Sequence, residues 1–296
     1  MQDMKTLTEF TGSSDNRLIA DRHAPRGDVH GNPVVLLHGG GQTRHAWGGA
    51  ARRMADAGHT AFTVDQRGHG ASDWLESKAY AFDDYATDAV AICREVAERC
   101  GKPPVLVGAS LGGISGLMAA YLGGPDLLAG LVLVDITPHM DADGVSRVQG
   151  FMAERMHEGF ATLEQAAAAI AAYLPNRPKP RSFEGLAKNL RQGADGRYRW
   201  HWDPAFIDGP RSINTDRETV QQRLVDASRQ LAIPVLLVRG QQSELVTEEA
   251  VSAFREMVPH ADFVDVTGAG HMVAGDRNDA FNDAVLGFLD KLEGRS

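Results

Sequence analysis

Short, mainly apolar β-type runs recur along the chain, with helical stretches between them. Val34–Leu37, Thr60–Val64, Val105–Val107, Leu131–Val134, Val235–Val238 and Asp262–Val266 are the runs. The helical stretches lie near 44–57, 82–99, 111–122, 247–257 and 278–292. A strand that is apolar at nearly every position has no face to give to water. Such runs alternating with helices therefore predict a mostly parallel central sheet covered by helices on both faces. Two weaker segments, 5–11 and 17–22, predict an antiparallel hairpin at the sheet edge, turning at Ser14-Asp15-Asn16.

The alternation stops between Ile136 and about Arg229. That interval holds an alanine-rich helix (Ala161 to Ala172), a Pro/Arg/Lys stretch (Pro175 to Arg181) and the aromatic patch Tyr198-Arg199-Trp200-His201-Trp202. Nothing in it resembles a sheet strand. It is too long for a loop of a compact domain and too apolar for a disordered linker. The expectation is a core built from 1–135 and 230–296, with a mainly helical cap, 136–229, inserted after the sixth strand.

Composition narrows the function classes. A chain of 296 residues with net charge −9 is large enough for one substantial core, and its charge argues against broad nucleic-acid binding. The first residues, Met1-Gln2-Asp3-Met4-Lys5-Thr6, lack the basic-then-apolar layout of a signal peptide, so a cytoplasmic location is expected. The two cysteines, Cys93 and Cys100, fall in one helical stretch, about 10 Å apart along its axis, too far to bridge. A reducing compartment is the simplest setting for such a pair.

Chemistry concentrates at the strand ends. Pro104-Val105-Leu106-Val107 leads into Gly108-Ala109-Ser110-Leu111-Gly112, and a small-residue apolar helix follows. A serine at a sharp strand-to-helix turn presents its Oγ clear of the backbone, and the first helical N–H, on Leu111, points at any negative charge forming beside it. Residues 105–125 carry no charge, but their glycines and the strand that follows almost at once favour a buried strand–turn–helix over a membrane helix. His38-Gly39-Gly40-Gly41 follows the first parallel strand, offering bare backbone N–H groups. Asp65-Gln66-Arg67-Gly68-His69-Gly70-Ala71-Ser72-Asp73 follows the next strand, and Gly268-Ala269-Gly270-His271-Met272 the last.

With these strings in this order, the sequence resembles the α/β-hydrolase family everywhere except in the 136–229 interval. The resemblance implies that Ser110 is the nucleophile and His271 its general base, with an oxyanion hole formed by the N–H groups of Gly40 and Leu111. The glycine run leaves Gly41 as an alternative to Gly40. Family members often read Arg-Gly-x-x-Ser-Asp after the strand matching Val235–Val238. Here the string is Arg239-Gly240-Gln241-Gln242-Ser243-Glu244, so Glu244 matches the acid. Asp135, at the end of the preceding strand, is the alternative acid, since some members carry it there. Asp65, Arg67 and His69 match a family turn that serves packing, and His38 is usually structural.

A serine nucleophile implies acyl transfer to water: a cofactor-free hydrolase of small or medium carboxylic esters or lactones. The alternatives are a C–C bond hydrolase of ring-cleavage products, a perhydrolase, and a hydrolase-like ligand-binding protein. Eleven histidines show no metal-ligand spacing, so no metal is expected, and the glycine run is not a dinucleotide fingerprint. The expected partner is a small molecule, with neither nucleic acid nor membrane. Trp200 and Trp202 either line an acyl pocket or form one face of a short strand packed on the core.

Overall fold

The protein is described here from a computed structural model that covers residues 5–173, 186, 189–273 and 278–295. The N-terminal hairpin pairs β1 (Lys5–Thr11) with β2 (Arg17–His23). The parallel strands are β3 (Val34–Leu37), β4 (Ala61–Val64), β5 (Val105–Ala109), β6 (Gly130–Val134), β9 (Val235–Gly240) and β10 (Asp262–Val266), while β7 (Leu190–Gln192) and β8 (Tyr198–Trp200) pair with each other. Among the described residues the main sheet has eight strands in the order β1-β2-β4-β3-β5-β6-β9-β10, antiparallel only where β2 pairs.

The near-continuous apolar strands feed two cores by simple alternation. Val35, Leu37, Leu106, Leu131, Leu133 and Leu237 face one side, packed under α2 (Phe82–Cys100), α3 (Leu111–Gly123), α7 (Arg217–Arg229) and α8 (Glu248–Met257). Val34, Leu36, Val107, Val132, Val134 and Val238 face the other, under α1 (Gly48–Asp56) and α9 (Asn278–Leu292). Neither face meets water, which is why these strands read as unbroken apolar runs.

The 136–229 interval divides into two parts. Its last helix, α7, sends Leu224 and Ala227 into the first core beside α3, so it packs with the helices of the sheet. Ahead of it come α4 (Ala142–Ala153), α5 (Leu163–Tyr173), the β7–β8 hairpin and the short α6 (Ala205–Asp208). These share a third apolar cluster with Tyr80, Tyr85 and Leu111. The β7–β8 hairpin lies apart from the main sheet, and its three-residue strands are too short to leave a period-2 signature. β8 ends at Trp200, where a short strand is one of the two readings open for Trp200 and Trp202. The Pro/Arg/Lys stretch, Pro175 to Arg181, lies outside the described residues. Among the described residues, no helix is long and apolar enough to cross a membrane.

Candidate active site

Ser110 stands between the last residue of β5 and the first of α3, at φ 47° and ψ −114°. Non-glycine residues rarely adopt such a backbone, and holding one there costs on the order of 1–3 kcal/mol. Two glycines make the turn feasible. A Cβ on Gly108 would lie 2.2 Å from the Gly112 carbonyl, and one on Gly112 would lie 2.3 Å from the Leu37 carbonyl. Helix and strand thus meet closer than any other residue allows. The Ser110 N–H donates to Val134 O on β6 (3.3 Å), and Ile114 N–H closes the first helical turn on Ser110 O (2.9 Å).

That tie to β6 places Ser110 across from Asp135, the residue after β6. Asp135 is fully buried, also with a positive φ of 51°. Its Oδ2 accepts from His271 Nδ1 at 2.7 Å and from the Ser243 hydroxyl, and its Oδ1 accepts from Gly240 N–H at 3.1 Å. A carboxylate removed from water needs donors for its lone pairs, and three are present. Because a carboxylate oxygen only accepts, the proton between it and His271 sits on Nδ1 and leaves Nε2 with a free lone pair. Ser243 Oγ in turn accepts from the N–H groups of Leu245 and Val246 (3.1 and 3.2 Å), which fixes the hydroxyl toward Asp135.

The expected pairing of Glu244 with His271 is corrected here. Glu244 accepts from Tyr173 Oη (3.2 Å) on α5 and faces Arg147 on α4 at 3.7 Å, with a third of its side chain exposed. The physical reason lies at Gly240, where a Cβ would come within 2.1 Å of the Gly270 carbonyl. The 268–271 loop therefore crosses tightly over the end of β9 and delivers His271 to the neighbouring strand, β6. Glu244 is carried past that crossing to the inserted segment. Its loop is itself tied there, Asp141 N–H donating to Leu245 O at 2.9 Å.

The glycine run borders Ser110. A Cβ on Gly39 would sit 3.4 Å from Ser110 Cβ. Gly39 N–H donates to Gln42 Oε1 (3.2 Å) and Gly41 N–H to His69 Nε2 (3.2 Å). Gly40 N–H, like that of Leu111 at the start of α3, has no acceptor among the described residues. Of the two glycines that the sequence left open, Gly41 is thus already engaged and Gly40 is available. Gln42 also bridges to the histidine loop through Met272 Sδ (3.1 Å).

Residues with no motif roof this run. Positions for a Cβ on Gly40 and on Gly41 lie 3.1 Å from Phe206 and 3.0 Å from Met152, respectively. Trp202 Nε1 lies 3.5 Å from the Gly41 position, and its ring meets Phe206 edge-on at 5.9 Å. Trp200 is set differently, between Phe151 and Phe160 at 5.8 and 5.2 Å. Both tryptophans are buried, but only Trp202 stands against the glycine run. Met152 and Phe206 could be found only from the structure, since an isolated apolar residue in an inserted helix has no sequence signature. Among the described residues, no group of three or more His, Cys, Asp or Glu is arranged to hold a metal.

The eight-stranded, mostly parallel sheet that carries these residues is one that known proteins share. The model of the alpha/beta hydrolase family matches residues 34–284. The chain belongs to this family. Esterase Rv0045c of Mycobacterium tuberculosis is 31% identical over 265 residues, 87% of this chain and 82% of that protein. The 2-(acetamidomethylene)succinate hydrolase of Mesorhizobium japonicum is 31% identical over 242 residues, 80% of this chain and 81% of that one. The crystal structure of an E-2-(acetamidomethylene)succinate hydrolase superposes with a TM-score of 0.79 at 26% identity, covering 97% of this chain and 99% of its own. In this alpha/beta hydrolase Ser110, Asp135 and His271 stand at the ends of neighbouring elements of the sheet, and the family match runs through the inserted segment as well.

Proposed function

We propose that this alpha/beta hydrolase cleaves carboxylic esters, of small to medium size, through an acyl-enzyme on Ser110. The observation that carries the reading is the 2.7 Å contact between His271 Nδ1 and the buried Asp135, made across 136 residues of chain at the edge where Ser110 turns. In this scheme the Ser110 hydroxyl adds to the ester carbonyl and gives its proton to His271 Nε2. Asp135 holds the imidazole in the needed tautomer and stabilises its cation. The oxyanion is met by the N–H groups of Gly40 and Leu111, each worth on the order of 3 kcal/mol to the transition state. His271 returns the proton to the departing alkoxide, which leaves as the alcohol. Water, deprotonated by His271, then releases the acid and restores Ser110.

The described elements α4, α5, β7–β8 and α6 of the inserted segment act as a lid in this reading, with Met152, Trp202 and Phe206 as the apolar wall that excludes water and meets the substrate. The mechanism draws every group it uses from the chain. An alkyl fluorophosphonate tests the proposal: it should label one site, Ser110, and abolish hydrolysis of p-nitrophenyl butyrate. Labelling of a different serine, or full turnover by Ser110→Ala, contradicts it.

A further inference from the structure

His69 is fully buried and lies in the Arg67–Ser72 turn that the sequence marks only for packing. Its hydrogen bonds indicate more. Nδ1 lies 2.9 Å from the Arg67 carbonyl, which only accepts, so the ring's proton is on Nδ1. Nε2 is then a bare acceptor, and it receives the Gly41 N–H. Burial, with His38 close by, lowers the His69 pKa to about 3, so the ring stays neutral and keeps that lone pair. The Arg67 carbonyl is itself fixed, because the buried Arg67 guanidinium is clamped by Asp88 (2.7 Å from Nε) and Ser13 (3.0 Å). Tyr85 Oη adds a second donor to the same carbonyl (3.3 Å). The imidazole is wedged between the His38 and Phe206 rings at 5.1 and 4.9 Å. A rigid path thus runs from Asp88 through Arg67 and His69 to the peptide joining Gly40 to Gly41.

That peptide belongs to a glycine run with little intrinsic preference for any one backbone geometry. Gln42 holds the Gly39 N–H and His69 the Gly41 N–H, leaving the Gly40 N–H between them without an acceptor among the described residues, in a run whose Gly39 borders Ser110. We propose that His69 is a positioning residue for the oxyanion site, holding the Gly40–Gly41 peptide through its Nε2 so that Gly40 N–H is preset for the developing charge. Preorganisation matters here because a donor that must first reorient stabilises the transition state less. The role rests on the esterase reading, since His69 itself touches no substrate.

Two near-isosteric substitutions separate this role from packing. His69→Asn keeps an amide donor near Nδ1 for the Arg67 carbonyl and loses the acceptor for Gly41. His69→Gln places an amide oxygen near Nε2 and loses the donor. With p-nitrophenyl butyrate, His69→Asn should lower kcat by about 10- to 100-fold with KM within about 3-fold, because the lost interaction is made in the transition state. A trifluoromethyl ketone, which forms an oxyanion adduct on the serine, should lose inhibitory affinity in parallel. His69→Gln should recover kcat to within roughly 5-fold of the parent, even where its melting temperature falls as far as that of His69→Asn. Equal kcat losses in both variants, or losses that track melting temperature, overturn the proposal. Nitrogen NMR of His69 in Ser110→Ala reads the hydrogen bond without catalysis: at neutral pH Nε2 should be unprotonated, and a protonated Nε2 overturns the assignment. Failure of the esterase reading shows differently, as a parent enzyme that the phosphonate does not label at Ser110.

Discussion

Asp135 and Glu244 show how residues of similar chemistry are sorted by a single close approach. Both follow apolar strands of the sheet, and both precede His271 in the chain. The string Arg239-Gly240-x-x-Ser243-Glu244 favours Glu244 by position, and nothing in the sequence reveals that the 268–271 loop crosses over Gly240 to β6. The placement of Ser110, His271, Leu111 and the Gly39–Gly41 run at strand ends was legible because motif and local geometry coincide there. The carboxylate paired with His271 was less legible, since it depends on which neighbouring strand end the histidine loop reaches. Asp135→Asn should therefore lower kcat by about 10⁴, the loss that the matching substitution causes in a serine protease. Glu244→Gln should stay within roughly 3-fold of the parent, as expected for a partly exposed ion pair whose removal is worth little. Steady-state kinetics on both variants decide it, and a dead Glu244→Gln with a normal Asp135→Asn would reverse the assignment. Ser243, which motif matching passes over, donates its hydroxyl to the same Asp135 oxygen as His271.

At the scale of elements, the sheet was readable because its central parallel strands feed two apolar cores and so carry near-continuous apolar runs, while the edge strand β10 (Asp262–Val266) alternates with aspartates. The inserted segment follows no such rule. Its helices bury one side on a small third cluster, and its strands hold only three residues each. Trp200 and Trp202 illustrate the limit: the sequence gives both the same weight, yet only Trp202 meets the glycine run. Trp202→Phe should alter the ratio of kcat/KM between acetate and octanoate esters by roughly three-fold or more, because a shorter wall changes the space for the acyl chain. Trp200→Phe should lower the melting temperature by opening a gap between Phe151 and Phe160, and leave that ratio within about two-fold. If both variants only lose stability, the acyl chain lies away from Trp202. The Glu244–Tyr173–Arg147 contacts join the acid-side loop to α4 and α5, so the same loop that shapes the catalytic edge also seats the inserted segment.

The whole molecule carries a pH signature from the same buried imidazoles. Burial lowers the pKa of His38 and takes that of His69 to about 3, whereas the ordinary value is 6.5. Between pH 6.5 and 3 the unfolded chain binds a proton at His69 that the native chain refuses. The unfolded state thus holds more protons there, and stability falls as the pH falls. The slope is about 1.4 kcal/mol per pH unit for each such imidazole. Urea unfolding at pH 7, 6 and 5 should show that decline, and His69→Gln should flatten it by about one imidazole's share; an unchanged slope would mean that His69 accepts a proton in the native state. Above pH 6.5 the His69 contribution to stability is fully present. The central claim is an acyl group carried on Ser110 and cleared by water, and trapping it is the most direct test. Mixing the enzyme with p-nitrophenyl acetate and quenching in acid during the first turnover should give a protein heavier by one acetyl group, mapped to Ser110 and missing from Ser110→Ala. An acetyl group on another residue, or hydrolysis that proceeds at full rate in Ser110→Ala, would contradict the account.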